Sequence, residues 1–320
     1  MLTSIELCAG AGGQALGLEM AGFEHEALVE IDPHCCATLR HNRPEWNVQE
    51  EDLKLFKERA SDYKGVDLVA GGLPCPPFSV AGKQLGARDE RNLFPDALDI
   101  IDAARPRAVM IENVRGFLDP VFKEYREELR IQLKKLGYVT DWKLLNASDF
   151  GVPQLRPRVA IVAIEANRFE AFEWPGIMPH RAKTVGETLV DLMAAGGWRG
   201  AKTWAARASE IAPTVVGGSK KHGGPDLGPT RAKKAWAALG VNGMTIADTA
   251  PERDFVGMPR LTVPMVARLQ GFPDDWHFVG RKTAAYRQVG NAFPPPVAQA
   301  VAGNILAALQ SNSRARRRTA

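Results

Sequence analysis

The chain has 320 residues, 45% of them hydrophobic, enough to bury the core of one large domain and a smaller module. No stretch reaches the roughly 18 consecutive apolar residues of a membrane span, and residues 1–6 lack a basic segment ahead of an apolar run, so a cytoplasmic location is expected. The formal charge of +4 permits a polyanionic partner without demanding one, and four cysteines with no C-x-x-C pair and no histidines at zinc spacing suggest neither a disulfide framework nor a metal.

In chain order, residues 4–7 read as a first strand, a glycine-rich turn follows, and residues 14–21 read as a helix stopped by Gly22. Residues 27–31 give a second strand. Short apolar runs at 66–70, 108–111 and 159–164 suit strands buried on both faces, and residues 93–104 and 122–136 carry helical periodicity. This alternation is that of a doubly wound α/β sheet, with loops at the carboxyl ends of the strands, where such sheets bind ligands. From about 181 to 260 the alternation breaks down and Gly, Pro, Lys and Trp become frequent, as in a second, loop-rich module. Regular structure resumes at Val263–Leu269 and in a helix at 297–309 opened by Pro294, Pro295 and Pro296. Basic residues gather at Lys220, Lys221, Arg231, Lys233 and Lys234, and again in a tail with Arg314, Arg316, Arg317 and Arg318.

Chemistry concentrates at a few loops. Cys8-Ala9-Gly10-Ala11-Gly12-Gly13 follows the first strand and opens a helix, so small residues let the backbone approach a nucleotide-like group. Glu30, 17 residues beyond Gly13 at the end of the second strand, is placed to accept from ribose hydroxyls. Together these indicate an adenosine-containing cofactor, with NAD and S-adenosylmethionine both open. Gly71-Gly72-Leu73-Pro74-Cys75-Pro76-Pro77-Phe78-Ser79 puts a cysteine at the end of a buried strand, ahead of a polar, glycine-punctuated stretch at 82–91 suited to a lid. Glu112-Asn113-Val114 ends the next strand, facing the same sheet edge. A nucleophile and an acid form a working pair.

At this point the chain resembles the DNA cytosine-5 methyltransferases over nearly its full length, with seven motifs in the family's order. They are the glycine loop, Glu30 and Asp52, Pro74-Cys75, Glu112-Asn113-Val114, Gln154-Leu155-Arg156-Pro157-Arg158, Arg268-Leu269-Gln270-Gly271-Phe272-Pro273 and Gln288-Val289-Gly290-Asn291-Ala292-Phe293-Pro294. The resemblance implies a Rossmann-like S-adenosylmethionine-dependent methyltransferase fold with a smaller, loop-rich target-recognition domain. Its expected boundaries are 1–180 for the catalytic and cofactor-binding domain, 181–262 for target recognition, 263–282 for a hinge, 283–312 for a return to the catalytic domain and 313–320 for a basic tail. It also implies contacts to S-adenosylmethionine from Cys8, Ala9, Gly10, Gly12, Gly13, Glu30, Ile31, Asp52, Leu53, Pro74, Leu93, Asn291 and Phe293. The catalytic set it implies is Cys75, Glu112, Arg158 and Arg156, with Arg158 on the cytosine O2 and Arg156 on a neighbouring phosphate or loop. Cys8 stands where the family often has an aromatic residue against the adenine.

Carbon 5 of cytosine is a poor nucleophile until a thiolate adds to carbon 6 and breaks the ring's aromaticity, the step expected of Cys75. Charge then moves toward N3, where Glu112 supplies a proton if burial raises its pKa. The base must leave the stack to be reached. Double-stranded DNA is therefore the expected partner of a monomeric enzyme, with a separate restriction endonuclease as a possible companion. Lid residues Lys83, Arg88 and Arg91 are candidates for the phosphates, Ser79 for a further DNA contact, and Lys220, Lys221, His222, Arg231, Lys233 and Lys234 for groove contacts. Three rivals are weighed: methylation of tRNA cytosine, a non-catalytic DNA-binding regulator, which has no use for the catalytic residues, and a NAD-dependent dehydrogenase, which has no use for Pro74-Cys75 with Glu112.

Overall fold

Strand segments such as Ala-Val-Met-Ile, apolar on both faces, belong in the middle of a sheet covered on both sides, and the sheet is built around them. A computed structural model describes residues 1–74, 92–218 and 224–311. Its strands are β1 (Leu2–Leu7), β2 (Phe23–Glu30), β3 (Val48–Glu50), β4 (Leu68–Gly71), β5 (Ala108–Val114), β6 (Tyr138–Asn146) and β7 (Pro157–Glu165). They form one sheet in the order β3-β2-β1-β4-β5-β7-β6. All neighbours are parallel except that β7 runs antiparallel to both β5 and β6. β3 and β6 were not expected from the sequence. The strand order reverses between β1 and β4, which opens a crevice at their carboxyl ends.

Helices α1 (Gly13–Ala21), α2 (Pro33–Asn42), α3 (Leu53–Phe56), α4 (Phe94–Ala104) and α5 (Lys123–Lys135) connect the strands. Gly22 ends α1 in the left-handed conformation, its N–H bonding back to the Glu19 and Leu18 carbonyls. The expected loop-rich segment contains α6 (Val185–Ala194), α7 (Ala201–Arg207) and α8 (Thr230–Ala238). It is thus more helical than its composition suggests. Thr184 and Glu187 form a capping box that starts α6. The chain closes with α9 (Val263–Leu269), α10 (Lys282–Asn291) and α11 (Pro295–Gln310). Residues Lys282–Gln310 are apolar enough by composition to cross a membrane. They are nonetheless two helices separated at 292–294, and α11 packs against α1 and the sheet through Val297, Val301 and Ile305.

One apolar cluster runs without a break from Leu189, Trp204 and Trp236 in the 181–262 segment, through Leu269 and Trp276, to Leu16, Leu28 and Leu39 beside the sheet. A buried polar knot accompanies it. Gln154 Nε2 donates to the Leu269 carbonyl and, at 2.6 Å, to Gln270 Oε1, while its Oε1 accepts from Val215 N. Gln270 Nε2 reaches the Val289 carbonyl at 2.7 Å. Arg156, with no exposed surface, donates to the carbonyls of Val215, Gly290 and Ala292 at 2.7–3.0 Å. Of the two partners expected for Arg156, a phosphate or a loop, the structure has the loop: both terminal nitrogens are committed to backbone oxygens.

Removing that guanidinium leaves the buried Val215 and Gly290 carbonyls short of a donor, at roughly 1–3 kcal/mol each, and the Ala292 carbonyl with only Gln270 Nε2 at 3.4 Å. Arg156→Met is therefore expected to lower unfolding free energy by about 3 kcal/mol or more in a urea titration; a loss below about 1 kcal/mol would show that the knot relaxes without it.

Candidate active site

The turn after β1 is shaped by its backbone angles. Cys8, Gly10 and Gly12 all have positive φ, 55°, 56° and 86°, a region that L side chains rarely adopt and Cys8 occupies under strain. At Gly13 the constraint is space instead, since a Cβ there would lie 2.2 Å from the Phe293 carbonyl oxygen. The turn therefore presses directly on the segment after α10. Trp276 holds it from the other side, its indole N–H reaching the Ala11 carbonyl at 3.2 Å.

Beneath the turn lies a cleft of about 240 Å³ at the carboxyl ends of β1 and β2. Cys8, Ala9, Gly10, Gly13, Glu30, Asn291 and Phe293 line it, as expected, and so does Glu112 from β5. Residues assigned separately to a cofactor and to an acid thus open onto one space. Glu30 is 8% exposed and already accepts from Gly10 N at 2.7 Å through Oε2 and from Ile31 N and Asp32 N at 2.8 and 2.7 Å through Oε1. With about four acceptor sites on a carboxylate, one remains, on Oε2. Burial raises its pKa against the lowering by those three backbone donors.

Glu112 is buried, and burial pushes its pKa up, opposed by the positive charges of Arg158 and Arg156. Arg158 Nε lies 2.7 Å from Glu112 Oε1, with its N–H not aligned on the oxygen, so the contact is chiefly an ion pair. A Cβ on Gly72, three residues before Cys75, would lie 3.7 Å from Glu112 Oε2, so the chain leaving β4 passes beside this acid.

Other expected residues fall elsewhere. Gly12 shapes the turn without lining the cleft, Ile31 is 63% exposed, and Leu53 is in the core under β2. Asp52 Oδ1 caps α3 at Lys54 N, and Leu93 precedes α4, packed against the core. Pro74 ends the first described segment. Arg231 and Lys234 are exposed on α8, whereas Lys233 pairs with Asp226 at 3.1 Å. Cys75, Ser79, Lys83, Arg88, Arg91, Lys220, Lys221 and His222 lie outside the described residues, as does the tail from 312.

Sequence reading missed several groups in the cleft wall. Glu6, next to the carboxyl end of β1, is 1% exposed, with Oε2 unpartnered among the described residues. A lone carboxylate inside the buried run Ile5 to Leu7 was the available signal. Gln14 from α1, Asp32, His34 and Cys35 at the start of α2, and Ala284, Arg287 and Gln288 from α10 also line the cleft. The α10 residues sit at helical spacing with Asn291, a periodicity that could have nominated them.

Residues 2–307 match the family model for C-5 cytosine-specific DNA methylases. The chain is 54% identical to Type II methyltransferase M.NaeI of Lentzea aerocolonigenes over 99% of its own length and 78% of the relative's. It is 53% identical to Type II methyltransferase M.NgoMIV of Neisseria gonorrhoeae over 97% and 99% respectively. In fold it is similar to the crystal structure of S. pombe Dnmt2 methyltransferase, with a TM-score of 0.65, 18% identity, and coverage of 97% of this chain and 100% of that one.

Burial and the charge of Glu30 hold the Glu6 pKa well above the usual carboxylate value of 4.5. A raised folded-state pKa means stability that is full below 4.5 and falls as pH rises through the raised value. Glu6→Gln escapes that loss. Its melting temperature is expected to match the wild type near pH 4 and to exceed it increasingly toward pH 8; a gap of the opposite sign, or one independent of pH, would contradict the assignment of burial as the cause.

Proposed function

Since the chain belongs to the C-5 cytosine-specific DNA methylases and so methylates carbon 5 of cytosine in DNA, we propose that the cleft shared by Glu30 and Glu112 is where this reaction takes place, with Cys75 as its nucleophile. The observation that supports this most is the opening of Glu112, the glycine turn and Glu30 onto one space. The fit to S-adenosylmethionine rests on the turn's small residues and on the acceptor site left on Glu30. Ala9, Gly10 and Gly13 admit its adenosine, and Glu30 takes a ribose hydroxyl, while Asn291 and Phe293 close the far wall. The bound cofactor supplies an electrophilic methyl group on a sulfonium.

The target cytosine, extruded from duplex DNA at a cost of a few kcal/mol, enters beside Glu112. Cys75 as thiolate adds to carbon 6, and Glu112 holds a proton at N3 as the ring's electrons move there. Its burial raises its pKa, against the lowering by Arg158 and Arg156, and so favours the protonated form. Arg158, at 2.7 Å from Glu112, fixes the acid's orientation and is placed to reach the cytosine O2. Carbon 5 takes the methyl group, loses its proton to a base, and the Cys75 sulfur leaves as carbon 6 regains its double bond.

Residues 181–262 serve as the target-recognition domain, with 263–282 as a hinge and 1–180 and 283–312 as the catalytic body. Neighbouring bases must be read by something other than the single flipped base, and Arg231 and Lys234 stand exposed on α8 for such contacts. Lys233, paired with Asp226, contributes to the helix's placement instead. The Type II names of relatives more than 50% identical support modification within a restriction-modification system in the bacterial cytoplasm and double-stranded DNA as substrate, in preference to tRNA.

Cys75→Ser is expected to abolish turnover while retaining duplex binding, because a hydroxyl of the same shape is a far weaker nucleophile. Duplex carrying 5-fluorocytosine should trap the wild type as a covalent adduct only when S-adenosylmethionine is present, read on a denaturing gel; turnover by the serine variant or no adduct with the wild type would overturn the nucleophile. Glu112→Gln should slow methyl transfer by about 10² or more with cofactor affinity unchanged. In the wild type the rate should fall as pH rises through the raised Glu112 pKa, where the acid loses its proton, and the Gln variant should lack that alkaline limb.

A further inference from the structure

The ionisable groups around the cleft are lopsided. Glu6, Glu30, Asp32 and Glu112 line it, and Arg287 is the only lysine or arginine among its described lining residues. Arg287 sits on the face of α10 that also carries Ala284, Gln288 and Asn291, all of which line the same space. It is half-buried. Its guanidinium makes no hydrogen bond or ion pair among the described residues, even with four carboxylates around the same cleft. The helix that carries it is not free to turn away. A Cβ on Gly290 would lie 2.4 Å from Gly217 Cα, and the Gly290 carbonyl is held by Arg156.

A half-withdrawn guanidinium without partners is poorly solvated, and its five N–H groups form a planar fork matched to a carboxylate. The ligand that satisfies it must bring an anion into a cleft otherwise suited to cations. We propose that Arg287 receives the carboxylate at the amino-acid end of the cofactor and so selects adenosyl ligands that carry one. This rests on the reading of the cleft as the S-adenosylmethionine site. That molecule has one anionic group and two cationic centres, its sulfonium and its ammonium, which matches one arginine among several acids. The polarity also sets direction: with the ribose at Glu30 and the carboxylate at α10, the cofactor is held at both ends.

The test is isothermal calorimetry on the whole protein without DNA. Wild type, Arg287→Met and Arg287→Lys would be titrated with S-adenosylmethionine and with its decarboxylated analogue, which keeps the sulfonium and the amine. Arg287→Met should weaken S-adenosylmethionine by about 10- to 100-fold, the scale of a charge-assisted hydrogen-bonded pair. The lysine variant should fall between, and the analogue should bind wild type and Arg287→Met within about twofold. An equal loss for both ligands would make Arg287 structural and overturn the proposal. So would unchanged affinity for both, which together with weaker DNA binding and a shallower salt slope would assign Arg287 to a phosphate. Failure of the wild type to bind either ligand would instead remove the cofactor reading itself, and the proposal with it.

Discussion

The arrangement depends on the buried knot of Gln154, Arg156 and Gln270. Three side chains that hold their hydrogen-bonding groups away from water must satisfy them on one another and on nearby backbone, and the groups they choose come from distant parts of the chain. Arg156 joins the start of β7 to Val215 in the 181–262 segment and to Gly290 and Ala292 at the end of α10. Gln154 adds the end of α9 through the Leu269 carbonyl. Because α10 is held there, Asn291 and Phe293 meet the glycine turn at a fixed distance, and Gly13 and Gly217 are required to be small by the closeness that results.

The cleft is correspondingly poor in stabilising contacts. Glu6, Glu30 and Glu112 are withdrawn from water, and burial raises the pKa of each. Among the described residues, only Glu112 of the three has a cationic partner within ion-pair distance. A carboxylate held in this way costs stability at neutral pH in return for a proton or an acceptor ready at a defined place. Cys8, strained at φ 55°, belongs to the same pattern of local disadvantage held in place by surrounding packing. The apolar cluster running from Trp204 and Trp236 to Leu28 and Leu39 supplies that packing.

How much of this was readable from the residues follows from how each element is stabilised. Strands β4, β5 and β7 are buried on both faces, so continuous apolar runs announced them. β6 lies at the sheet edge with only Tyr138, Thr140 and Leu145 buried, and its sequence shows no clean alternation. Helix α2 buries only Cys36, Thr38 and Leu39, too few for a visible stripe, although Asp32 followed by Pro33 was a legible cap. The helices between 181 and 262 were hidden by Gly and Pro in the intervening loops, and Thr184 with Glu187 was the cue that went unread. In the cleft, motif order brought out Glu30, Glu112, Asn291 and Phe293. Asp52 and Ile31 were placed by motif alone, and neither is among the residues lining the cleft: one caps a helix and the other faces solvent. Glu6 and Arg287 each carried a local signal, a carboxylate in a buried run and a helical spacing with Asn291, but that they share one wall follows only from the sheet and α10.

The central claim is that one cleft, at the reversal of strand order, carries both the methyl donor and the acid that works on a flipped cytosine. Sequencing of DNA from cells expressing the chain, by bisulfite conversion together with direct nanopore reading, tests it most directly, with the Glu112→Gln variant alongside. The account predicts 5-methylcytosine at one fixed position of a recurring duplex sequence in wild-type cells, strongly depleted in the variant. Methyl groups on exocyclic nitrogens, or undiminished 5-methylcytosine with Glu112→Gln, would contradict it.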